Sequence, residues 1–548
     1  GDRVSDNLVG KPWKVAIDFG STHTLAYVRP GDASTPEELP IRDRSVCVIG
    51  SGKDIEYNFF TFRAEKGAPI GAPTLLWAPV DTLVDPNNDT KHQRWLPGHG
   101  QIFYGTEVKG KKWSSLFANL KWRPLNEGKE KEQAQIAFKN YLSHFALMIA
   151  AEAAAHGASI EKVYGSYPGI FDRTRVKDFR ATLNMALRAV NPSDVEDAET
   201  GETDDIGDYG ERQSAPAQRI EVELPCDEAT ALESYLRSAK RAVAKNGLFA
   251  VDIGGSTSDF VVLRAGDSAR RYSSIQFAGG VVNRIIGADE RTAAAVRTAL
   301  KSDHIGLKDR EADRIMRLLS SPENRSVGAG LLIRTLAADT TAMPKFATAL
   351  FSAGIDGKRI LAAVAYLFAT NAFFMGLLAG PMEKGRQERG GYLLYFAGRG
   401  SLFRDWINAL REERPGSTSS GVVEELVAHF FLAGVNVEGL VRGEPSVSCG
   451  VKSIFPAAGE AKREVAIGLL DLPEDLKDLA KYSDRMHANP IGELGFSNRD
   501  GGEFSWNEPL TADVLSAIDP PGLEFFVGNL PPGIVRINSR AGDVELLG

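Results

Sequence analysis

Two short apolar runs end in aspartate and turn at once on glycine and hydroxyl residues: Val15-Ala16-Ile17-Asp18-Phe19-Gly20-Ser21-Thr22-His23 and Phe249-Ala250-Val251-Asp252-Ile253-Gly254-Gly255-Ser256-Thr257. Each run reads as a buried strand. The glycines after it let the chain reverse tightly, so backbone N–H groups and hydroxyls can approach phosphate oxygens. A carboxylate cannot bind polyphosphate directly. An aspartate before each turn therefore implies an intervening Mg2+, held through water because this ion dehydrates reluctantly. One copy of the pattern is weak, since glycine and serine fill ordinary hairpins; two copies in one chain point to nucleotide. A third turn, Gly398-Arg399-Gly400-Ser401, follows another apolar strand.

In this order the three turns resemble the phosphate-1, phosphate-2 and adenosine motifs of the actin, heat-shock chaperone and sugar-kinase ATPase superfamily. The likeness is nearest to the nucleotide-binding domain of the 70-kDa heat-shock chaperones, and other segments carry it. Phe117-Ala-Asn-Leu-Lys121-Trp-Arg resembles the stretch with that family's phosphate-facing lysine. Residues 163–171, with Pro168, resemble its strand and proline turn before a long helix. Leu224-Pro-Cys-Asp227-Glu228-Ala-Thr230-Ala231 is similar to its connecting segment, Phe277-Ala-Gly279-Gly280-Val-Val-Asn283 to its Gly-Gly turn and helix start, and Glu464-Val-Ala466-Ile-Gly468-Leu to its last core helix.

The resemblance spans about residues 13–470 and implies the fold class: α/β, a two-lobed actin-like ATPase fold in which two ribonuclease-H-like lobes flank a nucleotide cleft and carry inserted subdomains. It also implies ATP and ADP as ligands, Mg2+ as cofactor, and phosphoryl transfer to water. Gly20, Ser21, Thr22 and His23 then hold phosphate from one lobe, and Gly254, Gly255, Ser256 and Thr257 from the other. Asp18 and Asp252 orient the metal's waters, with Glu228 as an outer contact, while Lys121 neutralises the γ-phosphate. Asp252 is the favoured water-activating base, supported by Asp259 unless that carboxylate only caps its turn. Gly279 and Gly280, with Gly398, Arg399, Gly400 and Ser401, complete the nucleotide contacts.

The chain also departs from the family. Ala229 stands where the connecting segment carries proline, and Arg399 interrupts the glycine pair of the adenosine turn. Residues 290–390 show no counterpart of the adenine-clamping helix, and no peptide-binding β-sandwich and lid is expected in the residues after Leu470. The implied function is a Mg-dependent ATPase whose lobes open and close to regulate a partner protein. The alternative is a nucleotide-dependent switch or filament-forming protein with self-assembly and little hydrolysis. A metabolite kinase ranks third, because no sugar-pocket signature accompanies the phosphate motifs.

Other chemistries lack their residues. There is no Gly-x-x-x-x-Gly-Lys-Ser/Thr loop, no His-Glu-x-x-His and no Gly-x-Ser-x-Gly elbow, and the eight histidines are isolated. His23 reads as a packing residue within its turn. The three cysteines, Cys47, Cys226 and Cys449, have no metal spacing and read as reduced, small hydrophobes. A net charge of −8 with mixed signs gives no basic surface for nucleic acid. Residues 1–12 carry charges and no apolar run, so no secretory leader is expected and the expected location is cytoplasmic. Residues 360–380 are uncharged and mostly Ala, Leu and Phe; they imitate a membrane span but are expected to form one or two helices buried in the core.

The elements that must position these groups follow from pattern. With 548 residues, 43% of them hydrophobic, the chain allows three or four compact units. Lobe I is expected at 13–247, with an irregular insertion at about 40–115, an amphipathic helix over 138–156 and a solvated acidic loop at 191–218. Lobe II is expected at 248–470, with a helical subdomain at about 290–390 and the adenosine motif at 392–401. Residues 471–548 read as a small β-rich appendage, with strands near 523–527 and 533–537, and as the preferred route to a partner.

Overall fold

The computed structural model describes residues 10–21, 23–31, 35–39, 72–73, 75–78, 115–118, 121–122, 138, 141–142, 145–146, 149–150, 152–171, 173–188, 221–238, 247–264, 270–302, 305–307, 309–322, 325–338, 341–383, 391–409, 421–442, 449–456, 461–473, 475–476, 535–538 and 543–546. The chain is mixed α/β and divides into two compact units. One comprises Gly1–Tyr167, Phe171–Asp227 and Val465–Pro473; the other comprises Pro168–Ile170, Glu228–Glu464 and Glu474–Gly548.

In the first unit the strands are β1 (Trp13–Phe19), β2 (His23–Pro30), β3 (Glu37–Glu38), β4 (Ala72–Pro73), β5 (Leu75–Ala78), β6 (Ser115–Ala118), β7 (Ile160–Tyr167) and β8 (Glu221–Asp227). The main sheet runs β3-β2-β1-β7-β8, with β4 also on β2, while β5 and β6 form a separate ladder. β1 is antiparallel to β2 and parallel to β7, which is parallel to β8. Its near-continuous apolar run suits this place, because a central strand is covered on both faces. The described residues of 138–150 and 152–155 are helical. They bury Phe138, Tyr141, Leu142, Phe145 and Ile149 at helical spacing. The Phe19 ring lies 5.1 Å from Phe138 and 5.9 Å from Phe179 of helix Arg173–Arg188.

The second unit contains β9 (Gly247–Ile253), β10 (Ser258–Arg264), β11 (Arg270–Ile275), β12 (Tyr392–Ala397) and β13 (Val451–Ile454), in the order β11-β10-β9-β12-β13. β9–β10 and β10–β11 are antiparallel, and β9–β12 and β12–β13 parallel. Apart from β4, this repeats the pairing pattern of the first sheet: a central strand, two strands joined by antiparallel pairings on one side, two joined by parallel pairings on the other. The hairpins also match in register. Phe19 pairs with Thr24 and Ile253 with Ser258, so residues 20–23 and 254–257 are equivalent links between equivalent strands.

Within the stretch expected at about 290–390 lie helices Glu290–Leu300, Asp309–Ser320, Arg325–Ala338 and Ala342–Ser352. Asp289 caps the first of these by accepting from the Thr292 N–H at 2.9 Å, and that bond holds its carboxyl below the ordinary range. The uncharged stretch at 360–380 lies, up to its cap Gly380, in a single helix, Ile355–Ala379. By length and composition it could cross a membrane, yet 67% of its most apolar window is buried in the structure. Its partner is helix Val422–Arg442, approached so closely that a Cβ on Gly376 would stand 2.2 Å from the Phe431 carbonyl oxygen and one on Gly434 2.2 Å from that of Phe373.

After helix Arg463–Leu470 the chain is still part of the core. Arg29 donates to the Leu470 carbonyl at 2.6 Å and to the Asp471 carboxylate, and Leu472 and Leu476 are buried. Farther on, β14 (Val535–Asn538) pairs with β15 (Asp543–Leu546). The strand expected at 523–527, the acidic loop at 191–218 and all of 40–115 except 72–73, 75–78 and 115 lie outside the described residues.

Candidate functional site

In the first unit, Asp18 sits one residue before the end of β1, opposite Leu25, and is buried. Gly20 and Ser21 open the turn; Thr22 lies outside the described residues, and the His23 backbone pairs with Pro73. Ser21 Oγ accepts a hydrogen bond from Trp122 Nε1 at 3.2 Å, although the two are 101 residues apart. Lys121, next to that tryptophan, is 3% exposed. Asp227 ends β8, and Glu228, which starts the helix Glu228–Ser238, belongs to the second unit; both are buried. Burial, with the neighbouring Asp227 charge adding to it, pushes the Cys226 thiol well up. It therefore stays protonated and serves as a small hydrophobe rather than a nucleophile.

The second unit gathers three glycine turns. Residues 254–257 close through the Gly254 N–H to the Thr257 carbonyl at 2.9 Å. Gly279 N–H donates to Gly254 O at 3.0 Å and Gly280 N–H to Gly255 O at 2.7 Å. A Cβ on Gly280 would stand 2.2 Å from Gly255 O, so only glycine permits this approach. The Gly279 and Gly280 N–H groups are thus committed to shaping the Gly254 turn and are not free donors. By contrast, the N–H groups of Gly255 and Thr257 have no acceptor among the described residues.

The third turn closes on the same place. Gly398 has φ +75°, and a Cβ there would meet Asp252 Oδ1 at 2.0 Å; one on Gly400 would meet Ile253 Cγ2 at 2.3 Å. A left-handed residue in contact with a carboxylate and a backbone is a position for glycine alone. Ser401 Oγ donates to Gly398 O at 2.6 Å and so braces the turn, while Arg399 is half-buried. Asp252 thereby stands between two neighbours, opposite Asp259 of β10 and Ala397 of β12.

Asp259 breaks the match between the hairpins, since its equivalent in the first is Leu25. It is buried and accepts the Gly169 N–H at 3.3 Å, from the turn after Pro168. Two carboxylates directly opposite on antiparallel strands repel unless a cation or donor faces them.

The structure therefore assembles Asp252, Asp259, Gly254–Thr257, Gly279, Gly280, Gly398 and Gly400 in one unit, and joins the Lys121 segment to Ser21 in the other. The bond of Trp122 to Ser21 was not legible from sequence. The only signal was the tryptophan's place beside Lys121, and its partner is remote in the chain. No protein-family model matches the chain, and no curated protein matches it. The likeness to the ATPase superfamily rests on the motif residues.

Proposed function

We propose that this protein is a Mg2+-dependent ATPase of the heat-shock-chaperone and actin-like type, two-lobed in architecture, that passes its nucleotide state to a protein partner. The observation that carries this reading is the repeated hairpin. Two sheets of the same strand order each place an aspartate one residue before the end of the central strand and follow it with a glycine-hydroxyl link of the same length. A single such turn is ordinary loop chemistry; a repeated one at the same sheet position in each unit suits phosphate binding.

The donor set fits the nucleotide and its metal. Gly255 and Thr257 offer N–H groups to phosphate oxygens. Asp252 and Asp259, facing each other, suit a hydrated ion that asks for one or two carboxylates and keeps its remaining waters. Mg2+, when bound with the nucleotide, supplies positive charge against the phosphate oxygens. Water adds to the γ-phosphorus as the bond to the bridging oxygen of ADP breaks. Asp252 takes the proton of that water on its carboxylate, and Asp259, tied to Gly169, keeps its neighbour oriented. Lys121 offsets charge that develops on the transferring group.

Calorimetric titration with MgATP and MgADP, followed by phosphate release under single turnover, tests the proposal. Binding of both nucleotides with slow release is expected. Failure to bind either at millimolar concentration overturns it.

A further inference from the structure

We infer that Trp122 is a positioning residue of the first phosphate hairpin: its indole N–H sets the Ser21 hydroxyl as a hydrogen-bond donor to an anionic oxygen of the bound nucleotide. This rests on the nucleotide reading above. Trp122 Nε1 is 3.2 Å from Ser21 Oγ, and both residues are only 7% exposed. An indole nitrogen can only donate, whereas a hydroxyl has one hydrogen and two lone pairs. The direction of the bond follows. Ser21 accepts, and its own hydrogen is left for another acceptor, none of which is present among the described residues.

A buried hydroxyl hydrogen without an acceptor costs free energy. Accepting one hydrogen bond also polarises the O–H and makes it a stronger donor. Both effects favour an acceptor brought by a ligand, and unprotonated phosphate oxygens only accept. The donor is firmly aimed. Trp122 meets the Phe171 ring edge-on, with centroids 4.9 Å apart at 89°, and Phe171 meets Phe179 of helix Arg173–Arg188 at 6.2 Å and 78°. The same packing holds the backbone from which the adjacent Lys121 side chain departs, so one aromatic anchor serves two groups expected at the phosphate.

Trp122→Phe keeps a ring against Phe171 and removes the N–H; Ser21→Ala removes the hydroxyl. MgATP and MgADP binding to the full chain is measured by calorimetry for wild type, both single variants and the double variant, beside thermal unfolding midpoints. Each single variant should bind about three- to tenfold more weakly, the scale of one hydrogen bond. The double variant should be no weaker than Ser21→Ala, because the tryptophan acts through that hydroxyl. Unchanged affinity with a lowered midpoint makes Trp122 a core residue only, and additive losses also overturn the inference. If Trp122→Phe does not fold, tryptophan emission replaces it: saturating MgATP should shift the wild-type spectrum, and Ser21→Ala should abolish that shift. A shift that survives Ser21→Ala overturns the inference. A wild-type chain that binds neither nucleotide overturns the ATPase reading itself and takes this one with it.

Discussion

Asp252 is the residue on which the proposed chemistry turns, because it faces a second carboxylate across the ladder and a glycine turn at its side. Asp252→Asn should lower ATP turnover by about 10²-fold or more, the scale of losing a positioned base or charge. Nearly unchanged turnover in folded protein would sink the assignment. Lys121→Ala should cut kcat more than it weakens nucleotide binding, because a contact made chiefly in the transition state is lost mainly from the rate. Equal loss in both, read from single-turnover and binding measurements, is the contrary result.

A different residue sets a pH dependence. Glu233 is fully buried on helix Glu228–Ser238, takes a hydrogen bond from the Tyr272 hydroxyl, and pairs with Arg237 and with Arg270 at 3.5 Å. Burial pushes its carboxyl up and outweighs the Tyr272 bond and the two arginines, with Asp475 adding to the rise. A carboxyl whose folded pKa lies above its unfolded value stabilises the fold below the unfolded value, and that contribution is lost as pH rises through the folded one. The stability advantage of wild type over Glu233→Gln, from urea midpoints, should therefore shrink as pH rises from about 4 toward neutrality. An advantage that grows over the same range would mean that the arginines hold the carboxylate ionised.

At the scale of elements, helices Ile355–Ala379 and Val422–Arg442 pack backbone against backbone. Gly376 and Gly434 bring the two backbones into contact, and a Cβ on either would overlap a carbonyl of the other helix. The obstacles are backbone atoms, so no rotamer change relieves them. Gly434→Ala should cost about 1–3 kcal/mol or more, the range for overpacking a filled core. Gly450→Ala, where an added Cβ meets nothing within 4 Å, is the matched control and should leave the midpoint nearly unchanged. Equal midpoints for the two variants would show that the helix pair yields easily. The same packing accounts for the apolar character of the first helix without a bilayer, since its uncharged face is covered by protein.

For the whole molecule, the decisive stretch is the exit from the last core helix. Asp471 takes the Arg29 guanidinium, Leu472 and Leu476 are buried, and Arg237 and Arg270 face Asp475 at 3.7 and 4.0 Å. A chain ending after Leu476 should keep its unfolding midpoint and its ATP turnover. One ending after Leu470 loses two buried leucines, about 3–6 kcal/mol of apolar burial, and should unfold at markedly lower temperature. If both truncated chains melt alike, residues 471–476 contribute nothing to the fold.

What the sequence determined by itself is local. The Asp-x-Gly links, the helical stretch at about 290–390 and the apolar run at 360–380 depend on turn chemistry and periodicity within a few residues, and each lies where the pattern puts it. Even the repetition of the two hairpins was visible, because each strand and its link are contiguous in the chain. The tertiary structure decided what is remote. Strand order, the commitment of the Gly279 and Gly280 N–H groups to the Gly254 turn, the contact of Gly398 with Asp252, the Trp122 bond to Ser21 and the Gly169 bond to Asp259 each join segments with no local pattern in common. Side chains such as Trp122 carry one donor that many partners could satisfy. Only closure of the sheet and packing of the helices on it select which acceptor that donor meets.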